Sequence, residues 1–454
     1  MSSIETLLSL HGWVAAHCPT LIRPFGQNSH EHVFDDLLSK NHLYFVGIVI
    51  HSADHFLVDQ LAVIVQLAKR FGPSRLFVSM LDYDSSDSTA TLTDLSEAVL
   101  TLLGIPYRIR RVPGMTVDPT AAYYPAEEAY MRNLALEPLK ELYERRKIKF
   151  HRVIWLKGFT CPNDILETIK VSDANDAAMV CGMDWAEHNG AFIFSDRYAP
   201  YLLASCNSAH PPIIRWRTRD INGDQFRQSK SSSKPDAVPP RDRIGAARYS
   251  QHLPFQVFCC ESGTHVVDPA QSYYMGISYR AGTDFHNVSL TEVFPERAPA
   301  APCLDSSQAW FCRDLWLHKA REGVQEMDAR NSPVRRKRAL DDEEVKGGRV
   351  HRLPNDADPD ANAGSDYDAM PDSDVPDEDL STSTRLSIPN SLFRPARILV
   401  NPRCVTTYAG VKHTQLALDL FGTDDEDHGL GATGMYVLDD WEGAPESFVC
   451  QEQR

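Results

Sequence analysis

Between residues 43 and 185, short apolar runs alternate with longer amphipathic stretches. A chain of that rhythm can bury its apolar runs as strands only if the amphipathic stretches cover them, which predicts an α/β unit with helices on both faces of a mostly parallel sheet. The order reads βαβαβαβ. Residues 43–50 are the first strand, after which Ser52 and Asp54 offer a cap and a first-turn acid to a helix ending near Gly72. Residues 75–81 are a second strand, 91–103 a helix with Leu92, Leu95, Val99 and Leu102 on one face, and 106–112 a third strand. Gly104 stops that helix. A longer helix begins near Pro125, with Met131, Leu134 and Leu142 on its inner stripe and Pro138 as a kink. Residues 152–156 and 177–183 are two further strands, separated by a short helix at 164–169.

The 454 residues are 43% hydrophobic and 24% charged, which excludes fibrous and wholly disordered chains and leaves room for two or three compact units. Lys and Arg total 46 against 62 Asp and Glu, a net charge of −16. Binding to a phosphate backbone depends on clustered cations, so no nucleic-acid partner is expected. Ten of the acids, with no base among them, fall in residues 356–379, so the rest of the chain carries −6 (−16 + 10). No apolar run reaches the roughly 20 residues that a membrane-spanning helix needs. The stretch 6–22 lacks Asp, Glu, Lys and Arg but contains His11, His17 and Pro19 with no base before it, so it fits neither an anchor nor a signal peptide.

Four segments follow: an N-terminal segment 1–40, a main domain 41–321, an acidic disordered insertion 322–390, and a segment 391–454 that rejoins the core. The run Arg335-Arg336-Lys337-Arg338 in the insertion reads as solvated charge or as a nuclear localisation signal. Ten cysteines at irregular spacings, including the neighbours Cys259 and Cys260, form no CxxC zinc pair, and the redox compartment stays open. The triplet Asn287-Val288-Ser289 is a glycosylation sequon with meaning only in a secretory compartment. Phosphate-loop, nucleophile-elbow and HExxH signatures are all missing.

Ligands of open α/β sheets bind beyond the carboxyl ends of the strands. After the second strand, Asp82, Ser85 and Asp87 with their neighbouring hydroxyls can hold a base and a ribose, or simply cap the next helix and turn. Lys157 follows the fourth strand. After the fifth, Asp184 and His188 offer an acid/base pair, two metal ligands, or an ordinary strand-end turn. Arg132 and Asn133 on the long helix can grip a diphosphate or a sugar, since arginine presents a fork of donors to phosphate oxygens. Trp216 with Arg219 and Asp220 combines a flat apolar face with charge, which suits a carbohydrate as well as a surface loop.

Several segments in order carry a resemblance: Val78-Ser79 followed by the 85–89 stretch, Arg132-Asn133 with Leu136-Glu137-Pro138-Leu139, Cys181-Gly182-Met183-Asp184-Trp185, Arg219-Asp220-Ile221-Asn222-Gly223, and Val257-Phe258-Cys259-Cys260. On these the chain resembles the fungal capsule-associated mannosyltransferase family, and within it the α-1,3-mannosyltransferases that use GDP-mannose. The resemblance spans residues 43–316 and resumes at 397–409. It implies a GT-A-like, nucleotide-diphospho-sugar transferase fold that retains anomeric configuration, with a mannose-terminated glycan or glycolipid as acceptor. Residue by residue it implies that Asp82, Ser85 and Asp87 face the nucleoside and Arg132 and Asn133 the diphosphate. Asp184 falls at the transfer centre, Arg219 and Asp220 are expected as further catalytic residues in the acceptor or donor pocket, and Asp196 and Trp216 as substrate-binding residues.

Two departures stand out. Many members carry an Asn-Asp pair after the fourth strand, where a divalent Mn²⁺ or Mg²⁺ is held, whereas this chain has Lys157-Gly158, as its nearer relatives do. A lysine can itself neutralise a leaving diphosphate. The family's Asp-x-Trp-x-x-Arg-Asp pattern is also split, with Asp196 on one side and Trp216 on the other. Residues 198–215 between them are expected to be a retained intron or a real surface loop. The family is membrane-anchored with a lumenal catalytic domain in the Golgi or secretory pathway, so a sequence without an anchor is expected to be an incomplete gene product or a truncated form. The rival expectations are an inactive sugar-binding or scaffold paralogue and a nuclear acidic interaction protein.

Overall fold

The structure, a computed structural model, describes Cys18 and residues 35–114, 124–188, 191–194, 218–224, 226, 240–261, 263–280, 305–331, 395–408, 413–421 and 436–443. The expectations for 198–215, for Asp196 and Trp216, for the basic run at 335–338 and for the acidic tract lie outside these residues.

Strands β1 (Tyr44–Ile50), β2 (Leu76–Tyr83), β3 (Tyr107–Val112) and β4 (Arg152–Trp155) pair in parallel in the order β3-β2-β1-β4. The sheet continues through β6 (Met179–His188), β8 (Arg219–Asp220), β9 (Phe255–Cys259), β10 (His265–Val267) and β11 (Ile398–Thr407), giving β4-β10-β6-β11-β9-β8. The short β5 (Phe159–Thr160) pairs with β11 and β7 (Ala191–Phe194) with β6. Along the main path β10 and β9 oppose the common direction and every other strand follows it. The result is the α/β architecture expected from the sequence.

Alternating side chains feed two cores. On β1, Tyr44, Val46 and Ile48 enter one cluster and Phe45 the other, the period of two that a pleated strand imposes. Helix α2 (Leu57–Phe71) and helix α5 (Pro162–Ala174) cover the first face with Val63, Ile64, Leu67, Ile165 and Ile169. Helix α4 (Tyr124–Arg146) covers the second with Met131, Ala135, Leu136 and Leu139, beside Phe311 and Leu315 of α7 (Ser307–Asn331). Helix α1 (Asp35–Ser39) precedes β1, α3 (Thr89–Leu103) joins β2 to β3, α6 (Arg243–Tyr249) precedes β9, and α8 (His413–Phe421) follows β11.

Four local expectations are corrected. The helix after β1 starts behind Phe56 with no side-chain cap and carries Asp59 in its first turn, because Ser52 and Asp54 belong to a loop bonded to the turn after β2. Helix α3 turns Thr93, Ser96 and Val99 inward and leaves Leu95 and Leu102 exposed. Its inward hydroxyls bond to their own helix, Thr93 to the Ala90 carbonyl and Ser96 to the Leu92 carbonyl, so burying them leaves no donor unsatisfied. The helix expected at 164–169 extends over Pro162–Ala174. Finally, β6 runs to His188, because β11 pairs with it as far as Trp185 and β7 carries the pairing on to His188.

That pairing is irregular. Between Val400 and Val405 the β11 register shifts against β6, and Gly182 lies at the shift. A Cβ there would stand 2.4 Å from the Cys404 carbonyl oxygen, so only glycine admits the close approach.

Candidate active site

The turns after β1 and β2 are sewn together by side chains. The Ser85 hydroxyl donates to Asp82 and accepts the Ser52 N–H at 2.8 Å. Asp87 accepts the N–H groups of Asp54 and Thr89 at 3.2 and 3.0 Å, and the Thr89 hydroxyl accepts the Ala53 N–H at 2.7 Å. Against the upward push of burial, the Thr89 and Asp54 hydrogen bonds hold Asp87 below the ordinary carboxylate range. Ser52 and Asp84 both have positive φ, 48° and 51°, a conformation that costs a non-glycine residue about 1–3 kcal/mol. The sequence-predicted Asp82, Ser85 and Asp87 therefore stand together, each held by the loops it joins, while Asp84 is exposed.

The second centre arises because β10 enters antiparallel between β4 and β6. Gly263 and Thr264, which lead into it, pass the carboxyl end of β4 and lie beside Gly182 of β6, whose N–H the Thr264 carbonyl accepts. Lys157 follows β4, and its ammonium donates to the Glu261 carbonyl at 2.6 Å. Its own N–H donates to the Thr264 hydroxyl, which returns a bond to the Lys157 carbonyl, each at 3.1 Å. The hydroxyl of Thr160 lies 2.8 Å from those of Thr264 and Thr406. Next in sequence, Gly158 (φ 41°) lies so close to β11 that a Cβ would meet the Thr407 carbonyl at 2.4 Å. The turn bearing Lys157 is thus fixed from three strands.

Asp184 faces this turn from β6 and is buried. Burial pushes its carboxyl above the ordinary range. The Lys157 ammonium, the Gly263 N–H and the Tyr408 hydroxyl act against that, and the Glu261 carboxylate adds to it. Arg132 reaches the same loop from α4. Its guanidinium donates to Gln308 at 2.5 Å, to Glu128 at 2.9 Å and to Glu261 at 3.1 Å, and it lies 5.0 Å from the centre of the Tyr279 ring. His265 underlies them, stacked on Trp155, and burial drives its imidazole well below the ordinary range, with Lys157 and Arg132 adding to the effect.

The remaining sequence-predicted residues are placed differently. Asn133 clasps the Tyr279 backbone, donating to its carbonyl at 2.6 Å and accepting its N–H at 3.2 Å. Arg219 forms a buried ion pair with Asp305. Asp220 accepts the N–H groups of Asn222 and Asp224 at 3.0 Å each and those of Arg241 and Asp242 at 3.0 and 3.2 Å. Burial raises its carboxyl all the same, with Asp242 and Asp224 adding to the rise. Both sit on β8, at the far end of the described sheet from the β1 and β2 turns. The side chain of His188 lies outside the described residues. Sequence reasoning missed Glu261, Thr264 and Tyr408, none of which stands in a recognisable local pattern.

Disulfides brace the centre. Cys181, three residues before Asp184, is joined to Cys260, and the adjacent Cys259 is joined to Cys312 of α7. A third bridge links Cys18 to Cys161. Among the described residues one group of three metal-type ligands lies within 4.8 Å, Cys161, Asp164 and His413, and the bridge to Cys18 occupies its sulfur. The groups acting on the Asp184 carboxyl are the Lys157 ammonium, the Gly263 N–H, the Tyr408 hydroxyl and a second carboxylate, Glu261, one oxygen of which accepts from Arg132. The donors suit anionic oxygen, and the Asp184 and Glu261 carboxylates are the oxygen ligands a divalent cation would use.

Residues 43–294, more than half of the 454-residue chain, match the family described as Cryptococcal mannosyltransferase 1. No curated protein matches the chain significantly. Among solved structures it is similar to Staphylococcus aureus TarS 1–349 in complex with UDP. The identity is 10% and the TM-score 0.31, over 61% of this chain and 55% of that one. It is also similar to glucosyl-3-phosphoglycerate synthase from Mycobacterium tuberculosis in complex with Mn²⁺, UDP and glucosyl-3-phosphoglycerate, at 14% identity and TM-score 0.22, over 33% and 48%. The chain thus spans about half the length of each, at TM-scores too low to bear on activity.

Proposed function

The chain belongs to the cryptococcal mannosyltransferase 1 family, and from that premise we propose that it moves mannose from GDP-mannose to a mannose-terminated glycan or glycolipid, forming an α-1,3 linkage with retention. The observation that carries this reading is the meeting of Lys157, at the carboxyl end of β4, with Asp184 in the middle of β6. An open α/β sheet binds its ligand in that place, and a GT-A-type transferase needs both charges there. The linked loops around Asp82, Ser85 and Asp87 take the nucleoside, and Arg132 and Lys157 take the diphosphate.

In the transfer step the bond from the anomeric carbon to the diphosphate oxygen breaks. A bond from the acceptor hydroxyl oxygen forms on the same face, and the hydroxyl proton passes to the departing diphosphate. Positive charge develops at the anomeric carbon and negative charge on the leaving group. An ionised Asp184 stabilises the first, and the Lys157 ammonium the second, inside a site where burial strengthens both. Mn²⁺ or Mg²⁺, where used, would be held through the Asp184 carboxylate, and no step here depends on it.

The disulfides support a lumenal location, since such bridges persist in oxidising compartments. One observation favours a second reading, an inactive sugar-binding paralogue: Lys157-Gly158 stands where many members of the resembled family carry an Asn-Asp pair. Calorimetric titration with GDP, GDP-mannose and UDP, followed by an assay of mannose release, separates the two. The enzyme binds both guanine nucleotides and consumes GDP-mannose, whereas the paralogue binds without turnover. Equal affinity for UDP and GDP would overturn the donor assignment.

A further inference from the structure

Cys161, Asp164 and His413 meet where three elements join. Cys161 follows β5 and is the N-cap residue of α5, Asp164 lies in the first turn of α5, and His413 opens α8. All three are buried, and a ligand-type atom from each lies within 4.8 Å of the other two. Cys161 Sγ stands 3.3 Å from His413 Nε2, and the Thr407 hydroxyl lies 3.0 Å from the other ring nitrogen, Nδ1. Phe159 meets the imidazole edge-on, at 5.0 Å between centroids. The pairing of β5 with β11, Phe159 beside Thr407, brings these residues together from distant parts of the chain. Cys161 is bridged to Cys18, which is only partly buried.

A thiolate, an imidazole and a carboxylate form a donor set that zinc takes, and sulfur and nitrogen ligands of one tetrahedral zinc ion stand about 3.6 Å apart. The spacing of Cys161 and His413 is close to that. Thr407 supplies the outer hydrogen bond that orients a ligating histidine, since Nδ1–H donated to its hydroxyl turns the Nε2 lone pair toward the sulfur. The N-cap position of a helix favours the thiolate form that a metal needs. In the bridged chain that sulfur is occupied. We propose that opening the Cys18–Cys161 bridge converts the cluster into a Zn²⁺ site, with Cys161 Sγ, His413 Nε2 and an Asp164 carboxylate oxygen as its protein ligands and a water as the fourth. The reductant is a small thiol. Two RSH become RSSR and their two electrons break the S–S bond; one proton goes to the Cys18 sulfur, and the other is released as Cys161 binds the ion as a thiolate. Bridge and ion are thus alternative partners of one sulfur. The site needs neither Asp184 nor GDP-mannose.

Cys18→Ser in the full chain frees Cys161 without opening the other bridges, and the variant is titrated with Co²⁺ and then Zn²⁺ in air-free buffer without reductant. One equivalent of Co²⁺ should bind with a thiolate-to-metal charge-transfer absorption, which Zn²⁺ then abolishes by displacement. The bridged wild type should show no such band. Adding Cys161→Ser should remove the band, and adding His413→Gln should weaken binding about tenfold or more. No band in Cys18→Ser, a band that survives Cys161→Ser, or an affinity unmoved by His413→Gln overturns the proposal. Should Cys18→Ser not fold, the wild type is opened with glutathione and its thiols are alkylated with and without Zn²⁺, the products being mapped by mass spectrometry. Zn²⁺ should slow alkylation of Cys161 about tenfold or more and leave Cys18 unprotected. Equal rates at Cys161 with and without the ion contradict the assignment.

Discussion

The Glu261 carbonyl accepts the Lys157 ammonium at 2.6 Å while the Glu261 carboxylate accepts Arg132 at 3.1 Å. One residue of the loop entering β10 therefore holds both cations assigned to the diphosphate. Lys157→Ala removes a charge from that pair and should weaken GDP binding about tenfold or more by calorimetry, with guanosine affinity unchanged. A change below about threefold would identify Lys157 as a structural residue of the turn.

Asp184→Asn should lower turnover by about 10²-fold or more, since losing one group that stabilises transition-state charge costs about 2.7–4 kcal/mol. Its folded pKa is raised, so protonation favours the fold and the ionised form opposes it. The neutral asparagine should therefore leave the thermal midpoint at pH 7 unchanged or higher. In the wild-type enzyme the rate should fall as pH drops through a value above the ordinary carboxylate range, where Asp184 gains its proton.

Nucleotide affinity should not depend on a divalent cation. Lys157 and Arg132 already bring two positive charges to the place assigned to the diphosphate, so GDP affinity in EDTA and in Mn²⁺ should agree within about threefold. A tenfold or greater gain with Mn²⁺ would place a metal at the diphosphate.

Gly182→Ala should destabilise the fold by about 1–3 kcal/mol or more, because its methyl would press on the Cys404 carbonyl at 2.4 Å where β11 shifts register. Chemical denaturation measures this directly. Gly276→Ala serves as a control, since positive φ strains it while nothing lies within 4 Å of the added Cβ, and it should cost less.

Replacing Cys181 and Cys260 together with alanine should cost about 2–5 kcal/mol of stability. The bridge they form closes 79 residues and immediately precedes Glu261, so activity at a permissive temperature should fall as well.

The half of the sheet built from β1 to β4 was legible because each strand announces itself locally and each crossover helix follows directly. Strands β9, β10 and β11 were not, since their places are set by pairing across distance: β11, at residues 398–407, lies beside β6 at 179–188. Of the candidate site, Asp82, Asp184, Lys157 and Arg132 are legible because they follow apolar runs or sit on an obvious helix. Glu261 and Tyr408 carry no such mark, and only the insertion of β10 and β11 brings them to Asp184. The face of α3 was misread because Thr93 and Ser96 satisfy their hydroxyls within the helix and can be buried like apolar residues.

The most direct test of the account is product analysis. The purified chain is incubated with GDP-mannose and an α-mannoside acceptor, and the product is examined by NMR for linkage and anomeric configuration. The account predicts one new α-1,3-linked mannose, formed with GDP and absent in the Asp184→Asn variant. A folded protein that binds GDP-mannose yet forms no mannosylated product, or one that forms a β-linked product, would contradict it.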